Sequence, residues 1–340
     1  MNASPRFASS HPLAGKRISI IPFPALGDVT VYLRMAQSLA SVGAKVFFYS
    51  DLLASSDDLF DWLAISPIAG CKINDCANNS ELLIVDVLSP FFLAFAKDTQ
   101  APLVPLPKNL LAVTAKQFPQ PYLSLPPPAI LENIAQGSTH GPFCPGRRKG
   151  PSMIDWVDDY TKRVFGIDAP PTPPAICLSL PEGSDPHRKN LVLIFPTTPN
   201  PSKNYRLDGF VKIADAIANI GWNSEFICMP HEYDGISAAV KRHTVRSFQS
   251  IRDLILHMAA SKVVVSNDSG GGHLGAMLGL KTITITKKAE DFVWRPGFPG
   301  RRHVISPTMT IKWFTGRIWR PFINTGRVVD IIGTPSAETI

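Results

Sequence analysis

The chain has 340 residues, 45% of them hydrophobic and 18% charged, and its 34 Lys and Arg against 27 Asp and Glu give a net charge of +7. That length fits two domains of roughly 150–180 residues better than one, and the composition excludes a disordered chain. No apolar run approaches the roughly 18 residues that span a bilayer, and the polar stretch Met1–Lys16 lacks the apolar core of a signal peptide, so a cytoplasmic location is expected.

Arg17–Pro22 (R-I-S-I-I-P) is a short apolar run with no helical period and predicts a strand. The tight segment Phe23–Asp28 follows. Val29, Leu33, Met35 and Leu39 then recur at helical spacing up to Ser41, and Gly43 stops that helix. Lys45–Tyr49 is the next strand, which completes the strand–helix–strand unit of a parallel sheet. Leu82–Val87 predicts another buried strand, Phe91–Lys97 a short helix and Leu103–Leu106 a strand. Gln117–Gly150 is rich in Pro and Gly, ends in the basic cluster Arg147, Arg148 and Lys149, and predicts loop. Ser152–Phe165 has the pattern of an amphipathic helix, with Ile154, Trp156, Val157, Tyr160 and Val164 on one face. Asp168–Asn190 holds six prolines and is the expected linker.

The second half repeats the order of the first. Strands are expected at Leu191–Phe195, Ser224–Met229, Lys262–Ser266 and Thr282–Thr286. Helices are expected at Leu207–Ile220, Ile251–Ala260 and Gly271–Leu278. The boundaries that follow are a first Rossmann-like domain over residues 1–175 and a second over 186–340. Two such halves imply a cleft, with ligands beyond the carboxyl ends of the strands.

The basic balance suits nucleic acid, an anionic membrane surface or phosphorylated small molecules. The aromatic–basic ladder of an RNA-binding module is missing, so nucleic acid is not an expected partner. Five scattered cysteines (Cys71, Cys76, Cys144, Cys177, Cys228) have no second Cys or His pair at zinc spacing, which predicts reduced thiols and no metal.

The most informative segment is Val263–Gly279, V-V-V-S-N-D-S-G-G-G-H-L-G-A-M-L-G. A strand runs into a Gly-rich turn and then a helix. Backbone N–H groups at such a helix start suit a phosphate or diphosphate. Gly270, Gly271 and Gly272 let an anion approach, Ser269 adds a hydroxyl, and His273 faces the same place. The plainer alternative is that Asp268 or Ser269 caps the helix and His273 is a surface residue. Next, Phe195–Tyr205 places Thr197, Thr198 and Lys203 just past the strand that opens the second half, where hydroxyls and an ammonium suit phosphate oxygens; a solvated polar loop is the alternative. Asp28, in Pro24–Asp28, is either a helix N-cap or a general base that points into the cleft. Glu232, after the strand ending at Met229, offers a carboxylate to ribose or sugar hydroxyls, or is simply solvated.

These segments together resemble glycosyltransferase family 9, the ADP-heptose:lipopolysaccharide heptosyltransferases. Ala25–Asp28 matches the family's A-L-G-D after its first strand. Thr197, Thr198 and Lys203-Asn204-Tyr205 match its hydroxyl residues and K-x-Y, and Asp268–Gly279 matches D-[ST]-G-x-x-H-L-x-A-x-L-G. The likeness spans roughly residues 17 to 307, including the helix Asp155–Gly166 ahead of the linker. It implies a GT-B fold, two Rossmann-like domains whose parallel sheets face a central cleft. The first domain would bind the acceptor and the second the nucleotide sugar. It further implies inverting, metal-independent transfer without a resident cofactor, from ADP-heptose or a related donor to a lipopolysaccharide core or other glycan. Asp28 would be the base. Thr197, Thr198, Lys203, Glu232, Asp268, Ser269, Gly270, Gly271 and His273 would bind the donor. A lipid-linked acceptor implies peripheral contact with the cytoplasmic face of the inner membrane.

Two features depart from the family. Lys287 and Lys288 replace its usual small G-P-T turn, near the expected position of the donor's sugar. The aromatic and basic tail Met309–Arg327 suits either a membrane surface or packing on the first domain, and packing is the preferred expectation. A sugar-nucleotide epimerase and a non-catalytic nucleotide-sugar binder are the competing readings.

Overall fold

Runs of buried aliphatic residues form the central strands of two separate parallel sheets with the same topology. The chain is seen in a computed structural model that describes residues 11–98, 106–134, 136–137, 139–174, 190–314 and 316–334. It divides into two compact units, residues 1–147 with 153–177, and residues 148–152 with 178–340.

The first unit contains β1 (Arg17–Ile21), β2 (Lys45–Tyr49), β3 (Ala64–Ser66), β4 (Leu82–Asp86), β5 (Leu110–Thr114) and β6 (Gly141–Pro142), in the order β3-β2-β1-β4-β5-β6. All neighbours are parallel. Helices α1 (Leu26–Ser41), α2 (Ile73–Asn78), α3 (Pro90–Asp98) and α4 (Met153–Phe165) belong to this unit. Every residue of β4 and β5 is buried, as expected for parallel strands covered on both faces. Helix α1 is bound to α4 by a partly buried ion pair in which Arg34 Nε donates to Asp158 at 2.7 Å.

The second unit contains β7 (Leu191–Phe195), β8 (Asn223–Cys228), β9 (Thr244–Ser247), β10 (Val263–Asn267), β11 (Lys281–Ile285) and β12 (Arg302–Ile305), in the order β12-β11-β10-β7-β8-β9. These strands too are all parallel. Helices α5 (Leu207–Ala218), α6 (Tyr233–Val240), α7 (Ile251–Ala259), α8 (Gly270–Met277) and α9 (Thr325–Gly333) belong to it. In both units the first strand sits centrally and the chain then reverses direction across the sheet. The reversal falls between β1 and β4 in one unit and between β7 and β10 in the other. In a doubly wound sheet that is the point where strand ends leave a crevice for a ligand.

The structure corrects several expectations. Of the strand expected at Leu103–Leu106, only Leu106 is described, and it lies in no strand; the strand is Leu110–Thr114. The loop Gln117–Gly150 does contribute one strand, β6, at the sheet edge where its proline is tolerated. The linker's first part is pinned to the first unit: Arg34 donates to Pro170 O at 2.5 Å and Thr172 O at 2.7 Å, and Gln37 to Pro173 O at 2.9 Å. Residues 175–189 of the expected linker lie outside the described residues.

The tail packs on the second unit's own core. After the hairpin of β13 (Ile311–Trp313) and β14 (Gly316–Ile318), Trp319 is 2% exposed and joins Ile323, Val328 and Ile332 against Val192, Ile217 and Phe226. The basic cluster also joins the second unit through its backbone: Val293 N donates to Arg148 O, and Lys149 pairs antiparallel with Phe292. No described helix is long and apolar enough to cross a membrane.

Candidate functional site

In the second unit, residues after three adjacent strands gather around Asp268. Asn267 ends β10 fully buried and holds the loop after β7: its Oδ1 accepts from Tyr205 N at 2.7 Å, and its Nδ2 donates to Pro196 O at 2.6 Å. Arg320 secures the same loop from the tail, donating to Asn204 O at 2.6 Å. The loop then turns through Pro201–Lys203 and delivers Lys203 Nζ to 3.4 Å from Asp268 Oδ2. Lys288, just past β11, reaches the same oxygen at 2.6 Å. Two ammonium groups on one carboxylate leave a net positive charge.

Ser269 occupies the N-cap position of α8, but its side chain makes no capping bond and its buried Oγ has no hydrogen-bond partner among the described residues. Gly270 opens the helix, and no acidic side chain lies in the first turn. Gly271 and Gly272 are glycines for packing: a Cβ on Gly271 would lie 2.4 Å from the Phe195 ring, and one on Gly272 would lie 2.7 Å from Ser266 Oγ. Anion approach is therefore not the whole reason for the glycine run. His273 is 9% exposed, with its ring edge-on to Trp294 at 6.2 Å. Burial lowers its pKa to about 4 and outweighs the opposing influence of Asp268. At neutral pH it is an uncharged hydrogen-bonding imidazole and not a cation for phosphate.

The hydroxyls after β7 already have protein partners. Thr197 Oγ1 donates to Glu232 Oε2 at 3.0 Å, and Met229 N donates to the same oxygen. Glu232 thus joins the ends of β7 and β8. Thr198 Oγ1 lies 2.7 Å from Asn204 Oδ1 and accepts from Asn200 N at 3.2 Å, which shapes its own loop.

In the first unit, Asp28 is not the N-cap of α1; Ala25 is, and Asp28 lies in the first turn. Its side chain is 7% exposed, Oδ2 stands 3.7 Å from Lys116 Nζ, and Oδ1 has no hydrogen-bond partner. Burial raises its pKa to about 7; Lys116 pulls it down and Asp86 pushes it up. Lys116, past β5, is held 3.3 Å above the Phe23 ring. Asp86 ends β4 fully buried, accepts from Tyr32 OH and from Leu88 N, both at 2.8 Å, and is itself raised by burial. Sequence reasoning missed Asp86, Lys116 and Tyr32 and saw Lys288 only as a departure. The signal available was positional: Asp86, Lys116 and Lys288 each end or follow a strand at or next to the point of reversal.

Among the described residues, no group of three or more His, Cys, Asp or Glu side chains is arranged to hold a metal ion.

Residues 148–308 match the family model of glycosyltransferase family 9 (heptosyltransferase). Comparison with curated proteins found no match. Among solved structures, the chain is similar to a glycosyltransferase family 9 protein from Veillonella parvula DSM 2008, with a TM-score of 0.64 and 15% identity over 98% of this chain and 99% of that one. It is also similar to the E. coli heptosyltransferase WaaC with ADP, at 0.62 and 14% over 93% and 98% of the two chains. The E. coli ADP-heptose lps heptosyltransferase II gives 0.59 and 16% over 93% and 96%. These likenesses establish the GT-B fold of two Rossmann-like sheets. Residues 148–308 thus carry the sequence signature of glycosyltransferase family 9 (heptosyltransferase), and the chain as a whole is similar in fold to the solved structures named above.

Proposed function

We propose that this chain is an inverting glycosyltransferase that moves heptose or a related sugar from a nucleoside diphosphate donor, ADP-heptose first among them, to a hydroxyl of the lipopolysaccharide core or another glycan. In this reading the second unit binds the donor and the first the acceptor. With a lipid-linked acceptor, the enzyme works in the cytoplasm at the inner face of the membrane.

The observation that carries the proposal is the convergence of Lys203 and the start of α8 on Asp268, with the ammonium 3.4 Å from its carboxylate. A net positive, preorganised pocket at a helix start suits a diphosphate, and it stabilises the charge that develops as the diphosphate leaves. Thr197, Thr198, Ser269 and the N–H groups of Gly270 and Gly271 add donors, the two threonines by exchanging their present partners. Glu232 accepts from ribose hydroxyls. His273, being neutral, hydrogen-bonds the sugar or diphosphate. Lysine and helix terminus supply the positive charge, and the reaction uses no resident cofactor.

In the chemical step, Asp28 takes the proton of the acceptor hydroxyl. The freed oxygen forms a bond to the anomeric carbon on the face opposite the leaving group. The bond from that carbon to the diphosphate breaks, and its electron pair goes to the diphosphate oxygen. A pKa of about 7 suits a base that works near neutral pH. Its 7% exposure leaves room for little besides the reacting hydroxyl.

A thermal-shift screen of ADP-, UDP-, GDP- and CMP-sugars tests the reading, since a ligand bound to the folded state raises the midpoint. One nucleotide class is expected to stabilise the protein, and Asp28→Asn is expected to keep that shift while losing transfer. Absence of any shift would overturn the proposal.

A further inference from the structure

The strand order of the second unit lays its polar residues out along the carboxyl edge of the sheet. Neighbouring strands run β8, β7, β10, β11. The residues beyond them are Glu232, then Thr197 and Lys203, then Asp268 and Ser269, then Lys288. On the proposed reading, on which this inference rests, Glu232 takes the ribose and Lys203 a phosphate. A nucleotide sugar is linear from nucleoside through two phosphates to sugar. The β11 side is therefore the sugar side, and the cation there is Lys288.

Lys288 is held for such a role. Its backbone is fixed on both sides, since Lys288 N donates to Thr286 Oγ1 at 3.3 Å and Ser306 Oγ donates to Lys288 O at 2.7 Å. Its ammonium lies 4.6 Å from the Phe292 ring centre and 2.6 Å from Asp268 Oδ2. Lys203 already faces Asp268, so Lys288 is more than that carboxylate needs. Lys288 also lines a cavity of about 640 Å3 whose other walls include Lys287, Thr310, Lys312 and Arg317, and none of the described residues lining it is acidic. A surplus ammonium between that cavity and the start of α8 has an anion as its natural partner.

We propose that Lys288 is a second phosphate-binding residue of this site, and that it contacts the sugar-side phosphate of the nucleoside diphosphate, the one whose charge rises as the sugar departs. Lys203 serves the diphosphate as a whole. The two lysines thus have separable effects.

The test measures binding of nucleoside diphosphate and monophosphate by calorimetry, using the base that stabilises the wild-type protein. Lys288→Met is expected to weaken the diphosphate about tenfold or more, to change the monophosphate less than twofold, and to lower kcat more than it raises the donor's KM. Lys203→Met is expected to weaken both ligands, and Lys288→Arg to restore most of the loss. A purely structural role, neutralising Asp268, predicts that Lys288→Met has no effect in an Asp268→Asn background; the proposal predicts the same selective loss of diphosphate affinity there. Equal changes in both ligands, or none, would overturn the inference while Lys203→Met still supports the donor site. A wild-type protein that binds no nucleoside diphosphate would overturn the proposed function, and this inference with it.

Discussion

The two units share one strand order and carry opposite charge at the same topological place. Where the first sheet reverses direction, Asp28 and Asp86 face the ammonium of Lys116. Where the second reverses, Lys203 and Lys288 face the carboxylate of Asp268. The helix starts differ as well. Helix α1 has a carboxylate in its first turn and α8 has none, so the second helix keeps its N–H groups for an outside anion. Topology decides where a site forms, and the few residues after each strand decide whether it attracts a proton or an anion. Magnitudes support the contrast. A carboxylate at a helix start is normally favoured by under about 1 kcal/mol, less than one pKa unit. Asp28 nevertheless moves from 3.8 to about 7, because burial overwhelms that attraction.

The sharpest way to break this comparison is to remove its proton acceptor. Asp28→Asn is expected to lower transfer by about 10²- to 10⁴-fold. It should also stabilise the fold, and the sign follows from linkage. The native carboxyl holds its proton up to about pH 7, the unfolded one only to about pH 4, so between those values the native state binds more protons. Stability from this group is therefore present in acid and lost as pH rises through 7. Asparagine removes that loss, by a few kcal/mol at most at pH 8 and by little at pH 4. Melting temperatures of both proteins at the two pH values decide it; equal gaps at both would show that Asp28 is not raised.

Removing the anion acceptor comes next. Lys203→Met is expected to lower transfer by about 10²- to 10³-fold and to weaken nucleoside diphosphate. Unlike the Asp28 variant, it should leave the pH dependence of the remaining activity in place. Unchanged diphosphate affinity would separate Lys203 from the donor.

The two flanking charges of the first unit sharpen the contrast by moving one midpoint in opposite directions. The kcat/KM of the wild type should rise through about pH 7 as Asp28 loses its proton. Lys116→Met, which deletes the group that lowers Asp28, should move that midpoint up; Asp86→Asn, which deletes a neighbour that raises it, should move it down. Shifts of the same sign would refute the arrangement.

Much of this was legible in the sequence because parallel strands buried on both faces appear as unbroken apolar runs. Leu191–Phe195 is such a strand with the expected bounds, and Lys45–Tyr49, exposed on one face, is also a strand with the expected bounds. The Asp268–His273 segment and Lys203 stood out because glycine, hydroxyl and lysine follow strand ends, and the structure does bring them together. Three kinds of feature were not legible. Short edge strands such as Ala64–Ser66 and Arg302–Ile305 carry too few residues for a period to show. Asp86 and Lys116 matter through partners 58 and 88 positions away from Asp28, and only strand order reveals that nearness. The tail's aromatic residues were expected at a membrane surface or on the first domain, and only three-dimensional packing shows that the second unit's own core covers Trp319.

The smallest expected effect distinguishes the two functions of the glycine-rich segment. Gly271→Ala places a Cβ 2.4 Å from Phe195 and should cost about 1–3 kcal/mol of stability, because helix and sheet must separate. Ser269→Ala removes no hydrogen bond that the fold uses, since its Oγ has no partner among the described residues. Its stability should stay within about 0.5 kcal/mol of wild type. If that hydroxyl serves a phosphate, diphosphate affinity should fall several-fold, in keeping with one hydrogen bond to a charged acceptor. Calorimetry and a denaturation curve on the same variant therefore read opposite things. A loss of stability without a loss of affinity would make Ser269 a packing residue like Gly271, and the anion site of the second unit would rest on its lysines and backbone alone.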